Sequence, residues 1–402
     1  MNDHPHSTSS PRWIRQSNSI AALRTLFDFE RLSRAELARH LGLNRSSSGS
    51  IVSELVAGAL VREVPSTDKP RADQTRAGRP GILLELEPEA AVFLGAEIGV
   101  EHITTLQINL TAELVACRIE PFDGQSVPPD KAVEAAIHQA FDGLSPDIAE
   151  RIEGFGLVAP AQINAGGTAV VAPLLGWENV DLRKLAQRSL PIDVPVMVEN
   201  DANAFAFGEG FRDQKTKSGV TLCLVIETGV GGGIVIDGKL FRGGNGLAGE
   251  VGHWNIRDGV ELEEVLGLGH LLEQHRAATK RDDVKLDDFL AHVSDREPKA
   301  VEIAETWARD LASAIVTVCR IIDPDRLVLG GSVAALYPLV SARVAHHVRM
   351  AQADTFPMPE ISVHESAETG AAYGAACILH RRFMSLENQQ FIDVSAEHAS
   401  AE

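Results

Sequence analysis

Residues 221–244 read TLCLVIETGVGGGIVIDGKLFRGG. The apolar run Thr221–Ile226 has strand length and β-branched character. It enters a stretch with glycines at 229, 231, 232 and 233, leaves as a second strand, and turns at Asp237-Gly238 as a hairpin. A glycine-rich loop between strands lets backbone N–H groups close around a phosphate. Glu227 stands at the mouth of this loop, where a carboxylate would repel that phosphate.

Outward from this stretch the pattern repeats. Upstream, VFLGAEIG (92–99), HITTLQINL (102–110) and ELVACRIEPF (113–122) read as three consecutive strands joined by short turns. A helix follows around 131–143. EGFGLVAPAQI (153–163) and VPVMVEN (194–200) read as further strands, with a helix from about Asp201 to Gly210. Downstream lie a long apolar-striped helix (297–322), a buried strand RLVLGG (326–331) and a small-residue helix ETGAAYGAACILH (368–380). Three antiparallel strands followed by β/α units, stated twice, predict a duplicated α/β architecture with a cleft.

The first 88 residues differ in kind. Residues 1–85 carry 12 Lys+Arg against 9 Asp+Glu, a net of +3, which leaves −22 of the total −19 for the rest. A mildly basic head on an acidic body implies two tasks, and the overall charge argues against nucleic acid for the body. In the head, Ile20, Leu23, Leu26 and Phe27 mark one helix face. LSRAELARHLGLNRSSSGSIVSELVAGALVRE (32–63) then predicts a short helix capped by Ser33 with Glu36 three residues on, and a Gly42 turn. A further helix follows, capped by Asn44, with Ile51, Val52 and Leu55 inward. Short helix, glycine turn, second helix is the pattern of a DNA-binding helix-turn-helix. The candidate DNA contacts are Arg34, Asn44, Arg45, Ser46, Ser47, Ser48 and Ser50: small hydroxyls and an arginine at a helix start, the end that meets base edges and phosphates. A three-helix interaction module with a solvated serine face is the alternative. Leu60, Val61, Ile82, Leu84 and Leu86 fit two strands of a wing. RAGRPG (76–81) between them offers Arg76 and Arg79 as a minor-groove hook, or else is a basic linker.

The bulk composition bounds the rest. The chain has 402 residues, 44% of them hydrophobic and 23% charged, which suits two or three soluble domains. No apolar run approaches the roughly 20 residues that span a bilayer. The N-terminal residues lack the order of a signal peptide. A cytoplasmic protein without membrane partners is expected. Cys117, Cys223, Cys319 and Cys377 are scattered through apolar stretches without any C-x-x-C pair, so buried reduced thiols are expected.

Several pieces resemble the ROK family of bacterial sugar kinases and sugar-responsive repressors. They are VENDANAFAFGEG (198–210), GGNGLAGEVGHW (243–254), ETGVGGGIVIDGKLFRG (227–243), DPDRLVLGG (323–331) and LLGWENVDL (174–182). The resemblance covers roughly residues 15–382, and the head-plus-body order matches the family's repressor branch. It implies a multi-domain chain: a winged helix-turn-helix joined to an actin/hexokinase-like, ribonuclease H-like two-lobed α/β body. The boundaries expected are a head at 1–88, a body at 89–382 (one lobe about 89–200 plus 365–382, the other about 201–364) and a polar tail at 383–402.

The resemblance also implies a sugar or effector set of Asn200, Asp201, Glu250, His253 and Glu263. In the family's kinases an aspartate at the position of Asp201 is the general base. Two departures stand out. The family's Asp-x-Gly-Gly-Thr phosphate loop is here Glu97-Ile98-Gly99-Val100-Glu101, and the second loop (Glu227, Thr228, Gly229, Gly231) carries Glu227 where kinases usually have glycine. Vestigial phosphate loops and no ATP follow as the expectation, with a bound cation or internal capping of N–H groups by Glu101 and Glu227 as alternatives. The cysteine-rich zinc segment of many ROK proteins is replaced by WNIRDGVELEEV (254–265), so no zinc and no other metal cofactor is expected. The function so implied is a regulator, a repressor, that binds operator DNA as a homodimer or homotetramer and senses a sugar. An active ATP-dependent sugar kinase with Asp201 as catalytic base, or a DNA-binding scaffold without a small ligand, are the rival readings.

Overall fold

The computed structural model describes residues 11–65, 82–211, 218–257, 259–352, 356–364 and 368–385. The head comprises α1 (Pro11–Phe29), β1 (Leu32–Ser33), α2 (Arg34–Leu41), α3 (Arg45–Ala57), β2 (Val61–Pro65) and β3 (Ile82–Leu86). Ser33 and Glu36 form the reciprocal cap of α2: Ser33 Oγ accepts from Glu36 N at 3.2 Å, and the Glu36 carboxylate accepts from Ser33 N at 2.9 Å. The Ser33 N–H and hydroxyl hold the Glu36 carboxyl below its ordinary range. Gly42 closes the helix with φ 65°, a left-handed conformation that glycine adopts without penalty. α3 forms despite its serines because Asn44 Oδ1 accepts from Ser47 N at 2.9 Å and because Ile51, Val52 and Leu55 are buried. The three short strands pair antiparallel in the order β1-β3-β2. Three helices and a three-stranded sheet make this a winged helix.

The body begins with β4 (Val92–Ile98), β5 (His102–Asn109), β6 (Leu114–Pro121), α4 (Pro129–Phe141), α5 (Pro146–Ala149) and β7 (Ile152–Ala159). A small sheet follows, of β8 (Gln162–Ile163), β9 (Thr168–Ala172) and β10 (Trp177–Asp181). Then come α6 (Leu182–Ser189) and β11 (Val196–Asn200). The main sheet runs β11-β7-β4-β5-β6, antiparallel from β4 to β6 and parallel from β4 to β11. The second half comprises α7 (Asp201–Phe211), β12 (Val220–Ile226), β13 (Val230–Ile236), β14 (Lys239–Leu240), β15 (Asn255–Arg257), β16 (Val260–Glu261), α8 (Leu262–Leu266), α9 (Leu268–Thr279), α10 (Leu286–Ser294), α11 (Pro298–Ile321), β17 (Arg326–Gly330), α12 (Tyr337–Ala351) and β18 (Glu360–Val363). Its sheet runs β14-β13-β12-β17-β18 with the same polarity: an antiparallel trio, then two parallel strands. The duplication read from the sequence is therefore a repeat of strand order.

The last helix, α13 (Gly370–Phe383), returns to the first lobe and is wedged between its sheet and α7. Small residues allow this. A Cβ on Gly374 would lie 1.7 Å from the carbonyl oxygen of Ala204 in α7, and one on Gly95 would lie 2.0 Å from that of Ala372. Interiors are close-packed, so only hydrogen fits at either place.

The head rests on the same helix. Leu23 and Leu26 of α1 share a core with Phe93, Leu379, Phe383 and Met384. The Phe27 ring lies 4.9 Å from the His380 ring and 5.6 Å from that of Phe211. Arg24 Nε donates to Met384 O at 2.6 Å. Phe383 and Met384, 6% and 3% exposed, thus belong to the packed body and not to the polar tail assigned from 383. Residues 386–402 lie outside the described residues, as do Arg76 and Arg79. The thiols differ from expectation as well: Cys223 and Cys377 are buried, but Cys117 on β6 is exposed and Cys319 is half-buried. Hydrophobicity of the flanking residues does not reveal that β6 is the outer strand of its sheet. Among the described residues, no helix is long and apolar enough to cross a membrane.

Candidate functional site

The candidate residues stand where chain segments from both halves end. β11 stops at Asn200, and α7 starts at Asp201, so both side chains stand at a strand-to-helix junction. Asn200 Oδ1 accepts from Asn203 N at 2.9 Å and Asn200 Nδ2 donates to Ala161 O at 3.2 Å, which fixes the amide. Asp201 Oδ1 accepts from Ala202 N at 2.8 Å and from Asn200 Nδ2 at 3.0 Å. Burial pushes the Asp201 carboxyl up to about 6, against the pull of the Ala202 N–H, and the charges of Glu250 and Glu227 add to the rise. Behind the junction, buried Glu199 accepts from Asn203 Nδ2 at 3.3 Å, and Arg242 donates twice to its other oxygen at 2.9 and 2.5 Å. Sequence reading missed this pair. The two residues are 43 apart, and nothing local marks them.

His253 and Glu263 meet Glu250 on the far side. Glu250 precedes the short turn Val251–His253, and the charges of His253 and Glu263 reach it. His253 Nδ1 lies 2.9 Å from Glu261 Oε2 and 3.9 Å from Glu263 Oε1. The hydrogen bond to Glu261 raises the imidazole above its ordinary range. A Cβ on Gly229 would stand 3.3 Å from Glu263 Oε2, so this carboxylate borders the glycine turn. The five candidate effector residues are thus linked, Asn200 to Asp201 by a hydrogen bond, Asp201 to Glu250 and Glu250 to His253 and Glu263 by their charges, with Glu261 as a sixth group that the sequence does not single out.

The glycine stretch itself has a different job from the one its composition suggests. The link between β12 and β13 is only Glu227-Thr228-Gly229, closed by Glu227 N to Gly229 O at 2.9 Å. Gly231, Gly232 and Gly233 belong to β13. A Cβ on Gly231 would lie 2.8 Å from that of Ala202, one on Gly233 2.5 Å from that of Ala206, and one on Gly232 2.5 Å from Gly249 O. They let α7 and the 249–252 segment press on the strand from opposite faces. Gly231 is a packing residue of β13 against Ala202. Thr228 is exposed.

The other loop is similarly closed. Gly99 N donates to His102 O at 2.9 Å within the β4–β5 turn. Phe122 N and Gly124 N donate to Glu101 O and Val100 O across it. The Gly99 N–H is thus committed to the hairpin. Glu101 is exposed, and the group of this turn whose charge acts on Glu227 is His102. Glu97 on β4 is the carboxyl of this segment that senses Asp201 and Glu227. Burial, then the charges of Asp201, Glu227 and Glu368, hold it well above the ordinary range.

Glu227 has a specific partner. Its two oxygens accept from Ser332 N and Ser332 Oγ, each at 2.5 Å. Ser332 opens the short helical turn Ser332–Leu336 after β17, preceded by Gly331 at φ 83°. A free N–H at such a position is a ready anion donor. Here the chain's own carboxylate takes it. Burial still raises the Glu227 carboxyl, with the Ser332 bonds pulling the other way. Internal capping, one of the alternatives read from the sequence, is what Glu227 does.

On the head, Arg45, Ser46, Ser47 and Ser50 are exposed along the start of α3, and Asn44 is its cap. Ser48 is 2% exposed and shares the inward face with Ile51, Val52 and Leu55. It cannot touch DNA from there, since helical periodicity turns the third residue of the run into the core. Arg34 is bound to Glu63 of β2 at 2.7 Å, so its first partner is within the head.

A winged helix carried on two repeated α/β lobes, with a cluster of carboxylates and a histidine drawn from the second lobe and the β11–α7 junction, defines a class of protein. The ROK family profile matches residues 93–382, and the chain belongs to the ROK family. It is 25% identical over 337 residues to the xylose repressor of Bacillus subtilis, covering 82% of this chain and 85% of that one. It is 30% identical over 250 residues to the xylose repressor of Caldicellulosiruptor bescii, covering 60% of this chain and 59% of that one. An N-acetyl-D-glucosamine kinase of Vibrio cholerae is 30% identical over 202 residues, 45% of this chain and 66% of the kinase. Among solved structures, a ROK family transcriptional regulator described as a homologue of E. coli MLC superposes with TM-score 0.75 at 21% identity, over 92% of this chain and 98% of that one. A ROK glucokinase from Streptomyces griseus superposes with TM-score 0.64 at 22% identity, over 72% and 99%.

Proposed function

We propose that this protein is a sugar-responsive transcriptional repressor whose body no longer transfers phosphate. The observation that carries the reading is a winged helix joined to a kinase-like body in which Glu227 already occupies the Ser332 donors. A triphosphate brought to that corner would meet a fixed carboxylate and find its N–H donor in use. At a charge separation of ~4 Å the repulsion is about 1 kcal/mol with water-like screening and about 4 kcal/mol near a protein surface. Asn200, Asp201, Glu250, His253 and Glu263 offer acceptors and donors to the hydroxyls of a sugar, as a set of the kind the family uses. Effector binding closes the lobes and, through α13 and α1, changes how two heads of a dimer or tetramer present themselves to a roughly palindromic operator.

One observation favours a second reading, an active sugar kinase. Asp201, at about 6, is poised as a general base near neutral pH. The two readings part in one experiment. Purified full-length protein is tested against a panel of neutral sugars by thermal melting, against its upstream genomic DNA by mobility shift with and without the stabilising sugar, and for ATP-dependent sugar phosphorylation. Sugar-dependent DNA release without phosphate transfer is expected. Turnover that disappears in Asp201→Asn would instead establish the kinase, and indifference to every duplex would remove the repressor.

A further inference from the structure

The segment that follows His253 is where the family resemblance implies a zinc centre with cysteine ligands, and the side chains here do not suit one. Residues 254–264 contain no cysteine. His253 Nδ1 is engaged with Glu261, and the same Glu261 carboxylate accepts the N–H of Glu264 as the cap of α8. The other carboxylate within reach, Glu263, borders the glycine turn. A soft thiolate cage is absent, and although ligand atoms of His253, Glu261 and Glu263 lie within 4.8 Å of one another, His253 Nδ1 and Glu261 are already paired with each other and Glu261 also caps α8.

Yet the segment is ordered. β15 and β16 pair as a two-stranded ribbon of three and two residues, turned at Gly259 with φ 85°. A two-stranded ribbon is marginal alone in water, so something outside must hold it. Arg257 reaches from β15 to α11, where Nη2 donates to Asp310 Oδ2 at 2.8 Å. The Asp310 side chain is 8% exposed, and that of Arg257 is 52% exposed. A buried carboxylate in the middle of a 24-residue helix requires a counter-charge, and the ribbon delivers one. Leu262 N donates to Trp254 O at 2.9 Å and closes the ribbon at its base, with Leu262 itself buried. His253 immediately precedes this closed base and Glu263 immediately follows it.

We propose that the Arg257–Asp310 ion pair, assisted by His253–Glu261 across the ribbon, replaces a metal as the clamp that positions His253 and Glu263 at the cleft. Arg257 and Asp310 are positioning residues in this scheme and touch no effector. The protein therefore keeps its cleft ordered without zinc and is indifferent to chelators.

The test uses the full-length protein without any sugar, so its outcome does not depend on the proposed function. Metal content is measured on the purified chain, melting is followed with and without millimolar EDTA, and hydrogen exchange is followed on peptides covering residues 253–263 and on α3 as a distant control. Far less than one equivalent of zinc and no EDTA effect are expected. Arg257→Met should speed exchange of the ribbon peptide about tenfold, the large cost of stranding a buried carboxylate being discounted because Arg257 is half-exposed. Arg257→Lys, which keeps the charge, should recover part of the protection, and Asp310→Asn should loosen the same peptide. One tightly held zinc per chain whose removal frees the ribbon would overturn the proposal. So would unchanged ribbon exchange in both Arg257→Met and Asp310→Asn, or loosening spread evenly through the molecule, which would make the pair a general support instead of a local clamp.

Discussion

Replacing Asp201 by asparagine should make the protein more stable while disabling its cleft. The folded state holds this carboxyl at about 6, against an ordinary value of 3.8. The fold therefore prefers the protonated form. Stability is highest below about pH 4, where both states are protonated. It declines as pH rises toward about 6 and stays at its lower level above that. The gap is about 2 units, and each unit is about 1.4 kcal/mol, giving a ceiling of about 3 kcal/mol at neutral pH. Asp201 is only partly withdrawn from solvent, so about 1–2 kcal/mol is the working figure. Asparagine keeps the acceptor oxygen that Ala202 N and Asn200 Nδ2 require, and it carries no charge toward Glu97 or Glu250. Urea unfolding of both proteins across pH 4–8 measures the effect. The variant should gain about 1–2 kcal/mol at neutral pH, with the gain vanishing near pH 4. An asparagine variant less stable at neutral pH, or a difference that does not change with pH, would refute the reasoning. The same substitution should abolish the melting shift caused by whichever sugar stabilises the parent, because the anionic acceptor for a hydroxyl proton is gone.

Further outcomes follow from the packing and from the head. Gly374→Ala forces a methyl into the carbonyl oxygen of Ala204 and should destabilise the α7–α13 seam by about 3 kcal/mol, read as a lowered urea midpoint. Asn44→Ala removes the acceptor for Ser47 N and should cost about 1 kcal/mol of head stability, seen as faster hydrogen exchange in α3. Arg45→Ala should weaken binding to all duplexes alike and reduce the slope of log affinity against log salt by about 1 if Arg45 contacts a phosphate. Ser48→Ala, at a buried position, should leave the salt slope unaltered.

What could be read from the sequence was whatever is local. The Ser33–Glu36 cap, the Gly42 stop, the Asn44 cap and the Asp237-Gly238 turn involve residues within four positions of each other, and they fall where spacing placed them. The antiparallel trio of each half follows from short turns between consecutive strands, whereas the parallel strands are added through longer crossovers. The glycine stretch was a harder case. Three of its glycines exist to admit Ala202, Ala206 and Gly249, and a sequence does not state which neighbours crowd a strand. Glu227 is legible in the sequence as a carboxylate at the mouth of the loop, but its acceptor role depends on Ser332, 105 residues away. Arg257 with Asp310 and Arg242 with Glu199 are equally remote pairs, 53 and 43 residues apart. Ser48 failed for the opposite reason: the run of serines looked uniform, and only the helical phase against α1 and α2 turns one of them inward.

The seating of α1 on residues 379–384 also has a bearing on biosynthesis. The winged helix leaves the ribosome before the surface on which Phe27 and Arg24 come to rest, which lies 360 residues further along the chain at Met384. A nascent chain can fold its three N-terminal helices long before it acquires their platform. The way α1 seats on the body is consequently settled only after translation has passed Met384, so a product stopped before that point would carry the winged helix without its platform.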